Sequence, residues 1–138
     1  MNEKEFGLNS CIAAMGTIIS AWLGGWDAAL KVLVVLMTID YATGFLGAVK
    51  EHKVNSEVMY WGGLRKAAIL IVLAIAVLLD QMVGNSAPVL RTLAIYFYVS
   101  REGISVIENL GILGVQFPPS VTKVLTQLQE KGGNEKDE

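Results

Sequence analysis

The residues that could do chemistry in this chain are charged and amide side chains set inside apolar sequence. Glu102, Ser105 and Asn109 recur at spacings of three and four residues. At about 100° per residue of a helix they fall within about 60° of one another, and Arg101 and Glu108 flank them. The opposite half of that helix is apolar. The pattern predicts a polar stripe, which could form ion pairs and hydrogen bonds or line a path for polar solutes.

Four apolar blocks contain most of the chain. They cover residues 6–26, 28–49, 64–84 and 88–110. Each is close to the ~20 residues that a helix needs to cross the hydrocarbon core of a bilayer. The chain is 53% hydrophobic and 17% charged, whereas soluble domains contain about 25% charged residues. We therefore predict an all-α membrane protein with three to four transmembrane helices, four being favoured.

The first block leaves the number of spans open. It carries no charge, but it contains several polar residues and glycines, so it either crosses the membrane or lies at its surface. The N-terminus lacks the positive start of a signal peptide, and we expect this block to be retained. Residues 1–117 are expected to form the transmembrane domain. After Pro118 and Pro119, residues 118–138 are expected to form a short amphipathic helix and a polar tail.

Basic residues predict the orientation in the membrane. Lys50, Lys53, Arg65 and Lys66 all lie within residues 50–66, the polar connection that leads from the second block into the start of the third. An excess of lysine and arginine marks loops on the cytoplasmic side, so this connection and the C-terminus should be cytoplasmic. The N-terminus is then cytoplasmic with four spans and external with three.

The embedded charges are expected to pair with one another. A charge at mid-bilayer costs at least about 2.5–3.5 kcal/mol, so the stripe should face protein or water. Asp40 and Arg101 lie at similar depths in their blocks, and we predict an ion pair between them. Asp80 is expected at the outer face, near Arg91 and Lys31. The stripe either orients helices within one subunit or lines a subunit contact or water-filled lumen in an oligomer, and a proton or ion pathway is a third alternative.

Small residues in the second block predict close helix packing. Gly44, Gly47 and Ala48 follow Asp40, and Gly44 lies four residues before Ala48. Such spacing lets another helix approach closely in lipid. The neighbouring helix belongs either to another subunit or to the same chain.

The composition argues against several classes of function. One cysteine and one histidine are present, and no set of histidines, cysteines and carboxylates has metal-site spacing. Neither a Gly-rich phosphate loop nor a Ser, His and Asp set is found, so we expect no catalytic, cofactor or metal site. An enzyme is therefore the least favoured class. The net charge of −2 gives no reason to expect a nucleic-acid partner.

Several motifs together resemble one family of membrane proteins. The most specific is residues 101–110, which are similar to a Glu-Gly-x-Ser-x-x-Glu-Asn signature. Further similarities lie at residues 40–44, at Asn55 and Ser56, at residues 63–66 and at Asp80. The family is that of the phage lysis holins, which also includes clostridial toxin-secretion holins. The resemblance covers residues 28–128.

The resemblance implies a protein that accumulates in the bacterial cytoplasmic membrane, forms a homo-oligomer and permeabilises the membrane. A cytoplasmic endolysin or a toxin is then released, and an antiholin is a further partner that the resemblance implies. Three alternatives stay open on the residues alone. The chain could be an antiholin of the same fold, a small ion channel or transporter subunit, or an inert membrane scaffold.

Overall fold

Five helices follow one another in the computed structural model, which describes residues 2–133. They are α1 Glu3–Trp22, α2 Ala28–Lys50, α3 Ser56–Val83, α4 Val89–Ile112 and α5 Pro119–Gly133. The described residues contain no strand, so the all-helical class is confirmed. The expected polar tail at 134–138 lies outside these residues.

Local interactions set the ends of α2 and α3. Asp27 caps α2 by accepting the backbone N–H of Leu30 at 2.9 Å. Asn55 caps α3 by accepting the N–H of Glu57 at 2.9 Å. Such caps satisfy donors that the first helical turn leaves unpaired. Gly84 follows the last residue of α3, and its φ of 73° is a left-handed conformation that glycine adopts without steric cost.

The early start of α3 corrects the expected basic loop. Only Lys53 lies between the helices, while Lys50 is the last residue of α2. Arg65 and Lys66 lie inside α3, because the Asn55 cap begins the helix well before the apolar block. Lys66 therefore projects from a helix and can reach its neighbours.

α4 is the central helix. It packs against α2, α3 and α5, whereas α2 and α3 contact each other little. The apolar core lies in the half of the bundle near the α1–α2 turn, and its fully buried members are Leu30, Leu33, Leu73 and Ile95. The polar contacts of Asn109 with Asp40 and Thr43 lie in the other half of the α2–α4 interface.

Two helices are long and apolar enough to cross a membrane, α2 with 23 residues and α3 with 28. Three or four such helices were expected. α4 carries four ionised side chains, which reduces its apolar character. None of the residues of α1 is buried, and large apolar side chains such as Phe6 and Trp22 are exposed along it. α1 therefore stands apart from the packed helices.

The amphipathic C-terminal helix forms as expected and folds back along α4. A Cβ at Gly103 would lie 2.9 Å from Leu125 Cδ1, so the absence of a side chain at this position lets α5 approach. Further along α5, Leu128 packs against the apolar core. The apolar face of α5 thus packs against α4 of the same chain.

Candidate functional site

Lys66 joins three helices through two carboxylates. Its Nζ lies 2.6 Å from Oδ2 of Asp40 on α2, and it also donates to Oε2 of Glu102 on α4. The exposed fractions of the side chains are 16% for Lys66, 14% for Asp40 and 7% for Glu102. The three charges therefore lie largely inside the protein, where pairing offsets the cost of leaving water.

Asn109 completes this site from α4. Its Nδ2 donates to Asp40 Oδ1 at 2.9 Å and lies 3.1 Å from Thr43 Oγ1. The Thr43 hydroxyl in turn donates to the carbonyl of Ile39 at 2.8 Å. Both carboxylate oxygens of Asp40 thus have partners. We call Asp40, Lys66, Glu102 and Asn109 the polar junction.

A cavity of about 540 Å³ adjoins the polar junction. It lies between α2 and α3, which contact each other little, and is closed on one side by α4. All four residues of the polar junction line it, together with Ser105 and the two arginines Arg65 and Arg101. The cavity therefore brings the cations of α3 and α4 to the same space as the acidic residues of α2 and α4.

The predicted ion pair between Asp40 and Arg101 is wrong, because Asp40 pairs with Lys66. Arg101 precedes Glu102 by one residue, which turns its side chain about 100° away around the helix. It is exposed. Among residues 2–133, it forms no ion pair or hydrogen bond.

The other predicted stripe residues divide between the site and the surface. Glu102 and Asn109 enter the polar junction, and Ser105 lines the cavity. Glu108 is exposed. It has no ion-pair partner in the described part of the chain.

Sequence reasoning missed Lys66 as a member of the site. Lys66, Leu73 and Asp80 are spaced by seven residues, so they lie on one face of a helix. Leu73 and Asp80 are buried. The heptad spacing was the signal that Lys66 faces the bundle, whereas its neighbour Arg65 is exposed at the edge of the cavity.

The small residues of α2 face α4 in the same chain. A Cβ at Gly44 would lie 3.5 Å from Asn109 Nδ2, and one at Gly47 would lie 3.6 Å from Ile112 Cγ2. Ala48 lines the cavity. Close approach of α2 to α4 is what brings Asn109 within hydrogen-bonding distance of Asp40.

A second charged cluster ties the α1–α2 turn to α4. Arg91 is 4% exposed, and its Nε donates to the carbonyl of Leu23 at 2.6 Å. Its two terminal nitrogens lie 2.7 and 3.1 Å from the carboxylate oxygens of Asp27. The hydrogen bonds from Arg91, together with the backbone N–H of Leu30, lower the pKa of Asp27 below its ordinary value. Gly24, at φ 85°, leaves room for the guanidinium.

Asp80 lies near Arg91, as expected, but contacts its backbone. Its carboxylate accepts the N–H groups of Leu90 at 3.0 Å and Arg91 at 2.9 Å and so caps the start of α4. It also accepts from Asn85 Nδ2 at 2.8 Å. Lys31, expected near this pair, is exposed and has no ion-pair partner within residues 2–133.

The residues of the two charged clusters do not form a set of metal ligands. In the part of the chain that the structure describes, no group of three or more histidines, cysteines and carboxylates could hold a metal ion. The polar junction contains two carboxylates, one amine and one amide, and the amine occupies the position between the carboxylates. Its arrangement suits helix association through buried polar contacts.

The chain is similar to several bacterial proteins. The family model described as "Bacteriophage holin family" matches residues 17–130. The chain is 38% identical over 120 residues to an uncharacterized 14.9 kDa protein in the nagH 3′ region of Clostridium perfringens, covering 87% of this chain and 91% of that protein. It is 33% identical over 117 residues to the uncharacterized protein YqxH of Bacillus subtilis, covering 85% and 80%. No solved structure is significantly similar to it.

Proposed function

Because the chain belongs to the bacteriophage holin family, we propose that it is a holin that oligomerises in the bacterial cytoplasmic membrane and permeabilises it. The family is one of membrane proteins with a permeabilising role and not one of enzymes. The opening releases a cytoplasmic endolysin, which causes host lysis, or a secreted toxin. The partners are further copies of the chain, the lipid bilayer and an antiholin where one is produced.

In the proposed topology all of the first four helices cross the membrane. α2 and α3 have the length and apolar composition for this. α4 can follow because Arg91 and Glu102 are buried against protein, which reduces the charge that lipid must cover. α1 crosses as the fourth span, its exposed apolar side chains covered by lipid. The basic connection at 50–66 and both termini are then cytoplasmic.

The polar junction is the observation that carries this proposal. Two carboxylates share one ammonium group, so one negative charge is left without a full partner in a largely buried site. Buried polar contacts promote association of helices in lipid. The same groups can re-pair between chains, which gives a switch from a closed protomer to an oligomer that surrounds polar space.

The test is expression from a tight inducible promoter in a bacterium that carries a cytoplasmic muralytic enzyme without an export signal. Optical density and membrane potential are followed together. We expect an abrupt and delayed collapse of both, with lysis requiring both genes. Gradual depolarisation without lysis would contradict the holin assignment and favour an antiholin or a small channel.

Variants of the polar junction connect that result to the site. Glu102→Leu removes one carboxylate of the pair and should shift the time of lysis or abolish it. Glu108→Leu is the matched control, because Glu108 lies on the same helix but outside the polar junction. Unchanged lysis timing in a normally expressed and inserted Glu102→Leu protein would exclude the switch.

A further inference from the structure

We propose that the cavity beside the polar junction binds the phosphate headgroup of one anionic phospholipid. The inference rests on α3 crossing the membrane, which is part of the proposed function. It starts from Arg65 and Arg101, which line the cavity from two different helices. Within residues 2–133 neither guanidinium forms an ion pair or a hydrogen bond, so both are available to a ligand.

The charge of the cavity wall fits a phosphodiester. Three cations line it, Arg65, Lys66 and Arg101, against the two carboxylates of Asp40 and Glu102. Lys66 is held by both carboxylates, and the wall retains one surplus positive charge. A phosphodiester carries one negative charge and offers oxygens to which guanidinium groups donate paired hydrogen bonds.

The rest of the lining fits an acyl chain. Apart from Ser105, Asn109 and two tyrosines, the uncharged part of the cavity wall is formed by glycines and apolar side chains, including Ala68, Ile69 and Val72. Its volume of about 540 Å³ lies within the range of about 300–1,000 Å³ that is usual for small-molecule sites. Tyr41 and Val58, which also line the cavity, are exposed, so the space communicates with the surroundings of the helices.

The position of Arg65 along α3 corresponds to the depth of lipid headgroups. Arg65 stands at the start of the apolar stretch of α3. The exposed aromatic residues Tyr60 and Trp61 lie about one turn earlier on that helix, and such residues mark the membrane–water interface. Basic pockets between helices on the cytoplasmic side bind anionic headgroups. The observations therefore favour a lipid of the inner leaflet over a water-soluble anion.

The test measures lipid retention by the full-length protein, purified in detergent and mixed with phosphatidylglycerol or phosphatidylcholine. Native mass spectrometry counts the lipids bound per chain. We expect one retained phosphatidylglycerol and about tenfold weaker retention of phosphatidylcholine, because the surplus positive charge of the cavity wall repels the choline cation that phosphatidylcholine carries beside its phosphate. Equal retention of both lipids would overturn the proposal, and so would displacement of phosphatidylglycerol by millimolar inorganic phosphate, which would indicate a site for free anions.

Two variants assign the binding to the cavity. Arg101→Gln and Arg65→Gln should each lower phosphatidylglycerol retention about tenfold, since each removes one charged donor. Lys53→Gln is the control, because it removes a cation from the neighbouring connection without touching the cavity. Retention unchanged by both arginine variants, with unchanged helix content by circular dichroism, would overturn the site. Because binding is measured without lysis, its failure is distinct from failure of the holin assignment.

Discussion

Lys66 Nζ lies 2.6 Å from Asp40 Oδ2, and this ion pair links α3 to α2. The two helices otherwise contact each other little, and α4 packs against both of them. The same amine also donates a hydrogen bond to Glu102 on α4, so one side chain connects all three helices. Removing it leaves the two acidic side chains without a cation in a largely buried space.

We therefore expect Lys66→Met to destabilise the protein by about 3 kcal/mol, because breaking a buried pair leaves uncompensated charge. Thermal unfolding in detergent, followed by circular dichroism, measures the change. The neutral combination Asp40→Asn, Lys66→Met and Glu102→Gln should recover most of the loss. If that combination is no more stable than Lys66→Met alone, the loss does not come from unpaired charge.

Asn109 provides a second, uncharged test of the polar junction. Asn109→Ala should cost about 1–2 kcal/mol of unfolding free energy, because Asp40 and Thr43 lose a hydrogen-bond donor. Asn109→Asp should cost more, since it sets a carboxylate beside Asp40 Oδ1, which now accepts at 2.9 Å. The control Glu108→Ala, at an exposed position, should stay within about 0.5 kcal/mol. An equal effect of Asn109→Ala and Asn109→Asp would contradict this geometry.

Packing of α5 against α4 depends on glycine at position 103, because glycine has no side chain. Gly103→Val places atoms against Leu125, whose Cδ1 would be 2.9 Å from the new Cβ. Overpacking of this kind costs about 1–3 kcal/mol, so we expect tryptic cleavage within α5 to become about tenfold faster. Gly111→Val is the control on the same helix, because its Cβ meets nothing within 4 Å. Equal cleavage rates in the two variants would show that α5 is not held at Gly103.

The pair of Asp27 and Arg91 predicts a dependence of stability on pH. Hydrogen bonds from Arg91 and from the backbone of Leu30 lower the pKa of Asp27 below 3.8. A lowered pKa stabilises the folded state at pH values above 3.8, and this contribution is lost as the pH falls through the folded-state pKa. Asp27→Asn lacks it, so wild type should exceed the variant in melting temperature at pH 6 by more than at pH 2.5. A constant difference between these pH values would contradict the assignment.

Much of the local structure could be predicted from the sequence. The three- and four-residue spacing of Glu102 and Asn109 placed them on one face of a helix, and both enter the polar junction. Such spacing depends only on the pitch of the helix. Caps are equally local, since the Asn55 side chain bonds the backbone N–H of Glu57 only two residues further along the chain.

The partner of Asp40 was decided by tertiary structure alone. Sequence position gives the depth of a residue in the bundle but not the direction in which each helix faces. Arg101 lies at a similar depth to Asp40, but its side chain faces another direction. The rotation of α3 about its axis points Lys66 toward Asp40. Which helices touch is likewise a property of the assembled chain: α4 packs against three neighbours, while no residue of the equally helical α1 is buried. The periodicity of a helix is local, whereas its rotation about its axis is set by packing against the others.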